Sequence, residues 1–519
     1  MKNLTLREKI GQLVVTGFQG PDITDELKDL VSEYKIGNII LFTRNVIHKE
    51  QLKSVCGELQ RLITGKTGLP PFISIDQEGG RVTRLSADAA NVPGAMAVAA
   101  TGEPENAYAA GRITARELQT LGINFNLAPV LDINNNKRNP VINVRSYGDT
   151  AETVQKFGLP MMKGLMDGGV LPCLKHFPGH GDTAVDSHLG LPVIEKSLED
   201  LHKLELIPFR SAIEAGAESV MTTHILFPSI EKERVPATMS RTIITDVLKK
   251  ELGFDGLVIS DCLEMDAIRQ YYGTAEGALG ALKAGVHLVF ISHTPSLVKE
   301  AVERIEQAVA SGELSLETVD DAVEKVLKYK GKYGSLPAGD LSVVGCETHR
   351  IAINAISRDS ICLLRGNLET VVRGAGDTIA VGCYPYRTDQ ASSEVNARLL
   401  LPAAMTEAFG IPHVMTAMNP DAEEIGRVME QANGYRHVIV GLLNGMDNPG
   451  QLELVNRLTA GGHRVTAVAM GKPYDLGMLE GDICGLAAFE YTSLAINSVI
   501  GILGGASSPT GRIPVAWKD

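Results

Sequence analysis

Val170–Leu191, VLPCLKHFPGHGDTAVDSHLGL, is the stretch on which the reading of the chain turns. Its first five residues, Val170–Leu174, are mostly apolar and suit a buried strand. From Lys175 to Leu191, seventeen residues hold one Lys, three His, two Asp, a Ser, a Thr and three Gly. Gly and Pro at that density permit neither a core strand nor a stable helix. The stretch is therefore a strand that delivers a polar loop, and loops so placed carry function.

Outward from this stretch the same pattern recurs. Apolar, β-rich runs lie at Gly11–Phe18, Ile36–Phe42, Pro71–Ile75, Phe125–Val130, Leu171–Lys175, Ser219–His224, Gly256–Ser260 and Val286–Ser292. Amphipathic segments separate them, among them Asp25–Tyr34, Lys49–Leu62, Asn106–Leu121, Thr153–Met166, Leu198–Ala215, Met265–Ala284 and Ser296–Ala310. Strand then helix, eight times in about 300 residues, predicts an α/β fold of the (β/α)8 TIM-barrel type. A doubly wound sheet is the alternative, but no GxGxxG turn follows the first strand.

The polar residues then fall at strand ends. Thr43 and Arg44 follow the second run and Asp76 the third. Asp132 and Arg145 follow the fourth, Lys175 and His176 end the fifth, and His224, Asp261 and His293 mark the last three. Barrel enzymes build their sites at this C-terminal mouth. Beyond a helix at Ser315–Tyr329 and a Gly/Pro-containing stretch, a second set of short runs alternates with helices, including one expected at Ser393–Ala408. This predicts a three-layer α/β sandwich. The expected division is a barrel over 1–335, a linker over 336–355 and a sandwich domain over 356–519. No catalytic constellation is legible in the second part.

Composition narrows the function classes. With 44% apolar and 21% charged residues the chain is globular. A net charge of −13 argues against a nucleic-acid partner and against attraction to anionic membranes. The seven cysteines are odd in number and form no CxxC pair, which suits free thiols in a reducing compartment. MKNLTLREKIGQLVVTGF has no apolar core typical of a signal peptide, and no run of 18 apolar residues occurs, so a cytoplasmic location is expected.

Asp186 precedes His188 by two positions, and in an extended segment both point to one side. A carboxylate so placed fixes the imidazole tautomer and raises its pKa, which suits a general acid near neutral pH. His176, His180, Asp182, Asp186 and His188 also supply zinc-type donors, but Pro178 and Gly179 break the helical spacing and no HExxH or CxxC accompanies them. No metal or other cofactor is expected. Asp261, in GLVISDCLEMDAI, puts a carboxylate at the mouth end of the seventh strand. Glu264 and Asp266 are expected on a helix surface. In FISIDQEGGRVTRL, Asp76 with Arg81 or Arg84 suits sugar hydroxyls or an acidic group. Arg145 follows a Pro-fixed turn and reaches the same mouth. Lys175, beside His176, needs an anionic or hydroxyl partner, since an unpaired buried charge is costly.

IDQEGGRVTRL, NPVINVRSYG, KHFPGHGDTAVDSHLGLP, MTTHI and GLVISDCLEM, in this order, strongly resemble glycoside hydrolase family 3, in particular its β-N-acetylglucosaminidase branch. ASSPTGRIPV resembles the end of the two-domain members. The resemblance implies a retaining hydrolase that removes terminal β-linked GlcNAc, from peptidoglycan fragments or chitooligosaccharides. It makes Asp261 the nucleophile, His188 the acid/base and Asp186 its orienting partner. Asp76, Arg84, Arg145, Lys175 and His176 would bind the sugar. Three alternatives remain open: a β-glucosidase or xylosidase of the same fold, a sugar-binding protein with a dead site, and a β-N-acetylglucosaminide phosphorylase. The last follows from charge, because a neutral His188 would not repel phosphate as a carboxylate would.

Overall fold

The computed structural model of the protein describes residues 4–183, 186, 190–335, 339–393, 396 and 398–518. Its first sheet contains β1 (Val14–Thr16), β2 (Asn38–Leu41), β3 (Phe72–Ile75), β4 (Phe125–Asn126), β5 (Leu171–Pro172), β6 (Leu174–Phe177), β7 (Ser219–Thr222), β8 (Leu257–Cys262) and β9 (Leu288–Ile291). The strand order is β5-β4-β3-β2-β1-β9-β8-β7-β6, with every pairing parallel. The two outer members, β5 and β6, are halves of one chain segment broken at Cys173, so the sheet closes on itself as an eight-position barrel. Pro129 and Pro172 remove ladder donors where the halves meet. The seam is carried instead by Cys173 N–H to Ala128 C=O (2.9 Å) and Leu131 N–H to Lys175 C=O (2.7 Å). A closed parallel sheet buries both faces of its strands, which is why they read as apolar runs rather than alternating ones.

Differences from the expected elements have local causes. The run at Gly11–Phe18 begins as the end of a helix, Leu6–Gln12, started by a Thr5/Glu8 capping box. Gly11 is required there: a Cβ would lie 2.2 Å from the Lys35 carbonyl oxygen. A helix of π type at Thr242–Glu251 was not legible, because Thr242, Ile243, Ile244 and Thr245 are β-branched and weak helix formers. Burial of Ile243, Ile244, Val247 and Leu248 overrides that preference. Leu198–Ala215 divides into two helices, Leu198–Lys203 and Leu206–Glu214.

The stretch expected as a linker, 336–355, ends inside a helix, Glu347–Ser360. A second sheet follows: β10 (Cys362–Arg365), β11 (Thr378–Cys383), β12 (His413–Thr416), β13 (His437–Leu442), β14 (Arg464–Ala469) and β15 (Cys484–Ala487). Its order is β10-β15-β14-β13-β11-β12, parallel except for β10 against β15. Separate apolar clusters pack around this sheet, one around Val440 and Leu476 and another around Ile439 and Ile496, consistent with three layers. The first cluster includes Met96, Ala97, Ala100 and Val144, which come from the barrel's loops, so the second lobe is bolted to the barrel mouth. The helix expected from Ser393 starts only at Leu401 and runs to Phe409. Asp389, Ala391 and Ser393 lie against the barrel instead.

Candidate active site

The barrel mouth opens on a cavity of about 490 Å³. Asp76, Arg84, Arg145, Lys175, His176 and Asp261 all line it, so the structure gathers six of the eight expected site residues around one space. His188 lies outside the described residues. Asp186 is described and buried, at 6% exposure, but it is not in the lining; its charge acts on Arg81.

The floor is an ion-pair network. Lys175 Nζ lies 2.8 Å from Asp76 Oδ1 and 2.6 Å from Glu78 Oε1. Arg145 holds Glu78 through two bonds, Nε to Oε2 (2.9 Å) and NH2 to Oε1 (2.7 Å). Burial alone would raise the Glu78 pKa, but Arg145 and Lys175 outweigh it and hold the carboxyl well below its usual range. Lys175 is likewise held charged: burial works against it, and Asp76 and Glu78 prevail. Arg145 borders the cavity, yet its guanidinium is committed to Glu78 and to the Val141 carbonyl, which makes it a brace beneath the cavity floor. Glu78 escaped the sequence reading. Its signal was present: a Lys bound for the barrel interior required a carboxylate, and Glu78 stands two residues after Asp76.

Beside the floor, Asp132 organises the loop after β6. Its Oδ1 accepts from His176 N–H (3.1 Å) and His180 N–H (2.7 Å), while Oδ2 takes His176 Nδ1–H (2.6 Å). With Nδ1 committed to Asp132, Nε2 is the second polar atom of the His176 ring. Burial pushes His180 down to about 4, so it is neutral at pH 7. Described members of the zinc-type set are turned to other partners. His180 Nδ1 meets Thr183 Oγ1 at 2.9 Å, and Asp182 pairs with Lys196 at 2.7 Å. Gly181 presses this loop against the barrel, since a Cβ there would lie 1.6 Å from the Ile133 carbonyl oxygen.

Asp261 sits within the last turn of β8 rather than after it, and its Oδ1 accepts the Cys262 N–H at 2.7 Å. His224 does not line the cavity. Its Nε2–H donates to the Cys262 carbonyl (3.0 Å), because a carbonyl can only accept, and this steadies the strand end that carries Asp261. Glu264 and Asp266, expected on a helix surface, instead line the cavity together with Arg44 and His293. The turn after β8 folds back over the mouth before the helix at Asp266–Arg269 begins.

The second lobe supplies part of the wall, which the sequence reading did not anticipate. Arg387, Gln390, Ala391, Ser392 and Ser393 line the cavity. Arg84 NH1 donates to Ser393 Oγ (3.1 Å) and NH2 to the Ala391 carbonyl (2.9 Å). The same Ser393 hydroxyl accepts the Thr83 N–H at 2.9 Å. Of the two arginines left open by the local sequence, Arg84 borders the cavity and Arg81 does not. Arg81 pairs with the buried Asp389 at 3.0 Å.

The chain matches the family model "Glycosyl hydrolase family 3 N terminal domain" over residues 5–329. It is 35% identical over 385 residues to β-hexosaminidase A of Pseudoalteromonas piscicida, covering 67% of this chain and 63% of that protein. It is 33% identical over 293 residues to a β-hexosaminidase of Thiobacillus denitrificans, covering 55% of this chain and 80% of that one. Among solved structures it resembles a glycoside hydrolase family 3 β-N-acetylglucosaminidase from Paenibacillus sp. str. FPU-7. The TM-score is 0.92 and the identity 37%, over 99% of both chains.

Proposed function

The chain belongs to glycosyl hydrolase family 3, and we propose that it is a retaining exo-β-N-acetylglucosaminidase. The observation that carries the reading is the Asp261 carboxylate at the end of β8, facing a polar cavity floored by Asp76 and Lys175. The 37%-identical Paenibacillus enzyme, matched along its whole length, supports GlcNAc as the sugar.

In the first step an Asp261 oxygen forms a bond to the anomeric carbon. The bond from that carbon to the leaving oxygen breaks, and His188 gives the leaving oxygen a proton. In the second step water attacks the same carbon, His188 takes the water's proton, and Asp261 is released. Two inversions give retention. The role of His188 rests on the Asp186-Ser187-His188 motif. Asp76, Lys175, His176 and Arg84 hold the sugar, while Glu78, itself braced by Arg145, helps keep Lys175 charged and in place. Terminal GlcNAc on peptidoglycan fragments or chitooligosaccharides is the substrate we propose. The seven free cysteines support a cytoplasmic setting.

The test is a panel of nitrophenyl β-glycosides with product analysis in the presence and absence of phosphate. Turnover of the GlcNAc glycoside to free GlcNAc at all phosphate concentrations is expected. Preference for glucoside or xyloside would overturn the sugar assignment, and dominance of GlcNAc-1-phosphate would overturn water as acceptor. His188→Ala should slow poor leaving groups more than activated phenols, since only the former need protonation. Equal losses would remove His188 from the acid role.

A further inference from the structure

Three donors of different kinds meet at the rim of the cavity, and the proposed reaction uses none of them. Cys262 closes β8, Glu264 follows two residues later, and His293 lies just beyond β9. The Cys262 sulfur, a Glu264 carboxylate oxygen and a ring nitrogen of His293 lie within 4.8 Å of one another. No other group of three such donors this close occurs among the described residues.

The arrangement is held by backbone rather than by chance rotamers. Leu263 N–H donates to the Phe290 carbonyl at 2.8 Å, which ties the turn after β8 to β9. The His293 N–H donates to Glu264 Oε2, and His224 Nε2–H holds the Cys262 carbonyl. The His293 ring lies against Phe42, tilted by 36° with centroids 4.8 Å apart. Donors on the ends of adjacent barrel strands are pre-positioned, as a metal site requires.

A second observation points to a ligand. Glu264 Oε1 is buried yet accepts no hydrogen bond from the described residues. Buried carboxylate oxygens are nearly always satisfied by a donor or a cation. Arg44, whose guanidinium feels the Glu264 charge, directs its N–H groups at the carbonyls of Phe18 and Ser292. Arg44, Asp261, Asp266 and Arg269 line the same cavity, the last two paired with each other at 2.7 Å.

We propose that Cys262, Glu264 and His293 form a binding site for a thiophilic divalent cation of the Zn²⁺ class, with its fourth position open to the cavity beside Asp261. Thiolate, carboxylate and imidazole together select such an ion over Mg²⁺ or Ca²⁺, which take oxygen donors. Tetrahedral zinc with bonds of about 2.0–2.3 Å places its donors roughly 3.3–3.8 Å apart, so the three groups need to close by only about 1 Å. On binding, the Cys262 S–H bond breaks, a sulfur–metal bond forms, and the proton goes to solvent. Nothing is oxidised or reduced. An ion held one residue from Asp261 draws that carboxylate toward itself and blocks the cavity, so occupancy inhibits the glycosidase. This consequence rests on the proposed function; the binding does not.

The experiment uses the full chain, stripped with EDTA and desalted, then titrated with Co²⁺. One equivalent should give a thiolate-to-cobalt charge-transfer band in the near ultraviolet and intense visible bands of tetrahedral cobalt, both displaced by Zn²⁺. Cys262→Ser should abolish the charge-transfer band, and His293→Ala should weaken affinity about 10-fold or more. Cys346→Ser, which alters the other partly exposed cysteine, should leave the spectrum unchanged. Absence of the band overturns the site, as does its survival in Cys262→Ser. Zn²⁺ should inhibit hydrolysis of the GlcNAc glycoside by the wild type, and lose potency against His293→Ala. Cobalt binding without zinc inhibition overturns the inhibitory role, whereas a chain with no glycosidase activity still reports the metal through its spectrum.

Discussion

At the scale of single residues, the site separates groups that face the cavity from groups that hold them. Asp261 is partly exposed at the cavity, and its Oδ1 accepts the N–H of the next residue. Asp261→Asn preserves that acceptor and removes the proposed nucleophile. The loss in kcat should be several orders of magnitude with the melting temperature unchanged. Near-normal turnover in the folded variant would overturn the assignment. His180 answers to pH. Its pKa falls to about 4, chiefly because it is buried, while the unfolded chain retains about 6.5. The unfolded state therefore binds an extra proton between these values, so the neutral buried ring favours folding fully above pH 6.5 and less as pH falls toward 4. The penalty reaches about 2 kcal/mol by pH 5 and about 3 kcal/mol below both values. Urea midpoints of the wild type should fall more steeply from pH 7 to pH 5 than those of His180→Asn. Parallel trends would show that His180 is protonated in the fold.

At the scale of elements, the segment 387–393 does what the barrel loops alone do not. It leaves β11, crosses to the barrel and positions Arg84 through Ser393 and Ala391. Ser393→Ala removes the acceptor for Arg84 and for the Thr83 N–H. The KM for GlcNAc glycosides should rise about 10-fold with a smaller change in kcat, the cost of about one charge-assisted hydrogen bond. Ser393→Thr, which keeps the hydroxyl, should recover most of the loss. Equal falls in kcat and kcat/KM would instead mean that the segment acts on the chemical step.

At the scale of the whole molecule, the two lobes are joined by polar pairs as well as by the shared apolar cluster. Arg81 meets Asp389, whose side chain is 2% exposed. Glu490 Oε2 accepts the Gly94 N–H (2.7 Å), and Asn134 Nδ2–H donates to Tyr474 OH (2.8 Å). Breaking a buried pair from one side leaves the other charge stranded. Arg81→Met should cost about 3 kcal/mol and raise KM, because Asp389 belongs to the segment that positions Arg84. Asp389→Asn in the same chain should return much of the stability, a coupling that a double-mutant cycle measures by calorimetry. Strictly additive losses would show that the pair does not connect the lobes energetically.

The barrel was legible because closed parallel strands are buried on both faces and so leave apolar runs, each followed by the polar residue that the mouth requires. Asp261, Asp76, Lys175 and His176 could be named from that punctuation alone, since strand ends fix which residues reach the mouth. The choice of Arg84 over Arg81 came only with the family resemblance; of the two, Arg84 borders the cavity. Other features needed the tertiary structure because they depend on pairs distant in sequence. Glu78 became visible as the anion between Lys175 and Arg145. The π-type helix at Thr242–Glu251 formed against its β-branched propensity because packing rewarded it. Glu264 moved from an expected surface to the cavity rim beside His293, 29 residues further on. The cap at 387–393 reaches Arg84 across about three hundred residues. Local sequence encodes which face of a strand is buried and where it ends. Only the closed fold decides which charge meets which, because that pairing energy exists solely when distant segments leave water together.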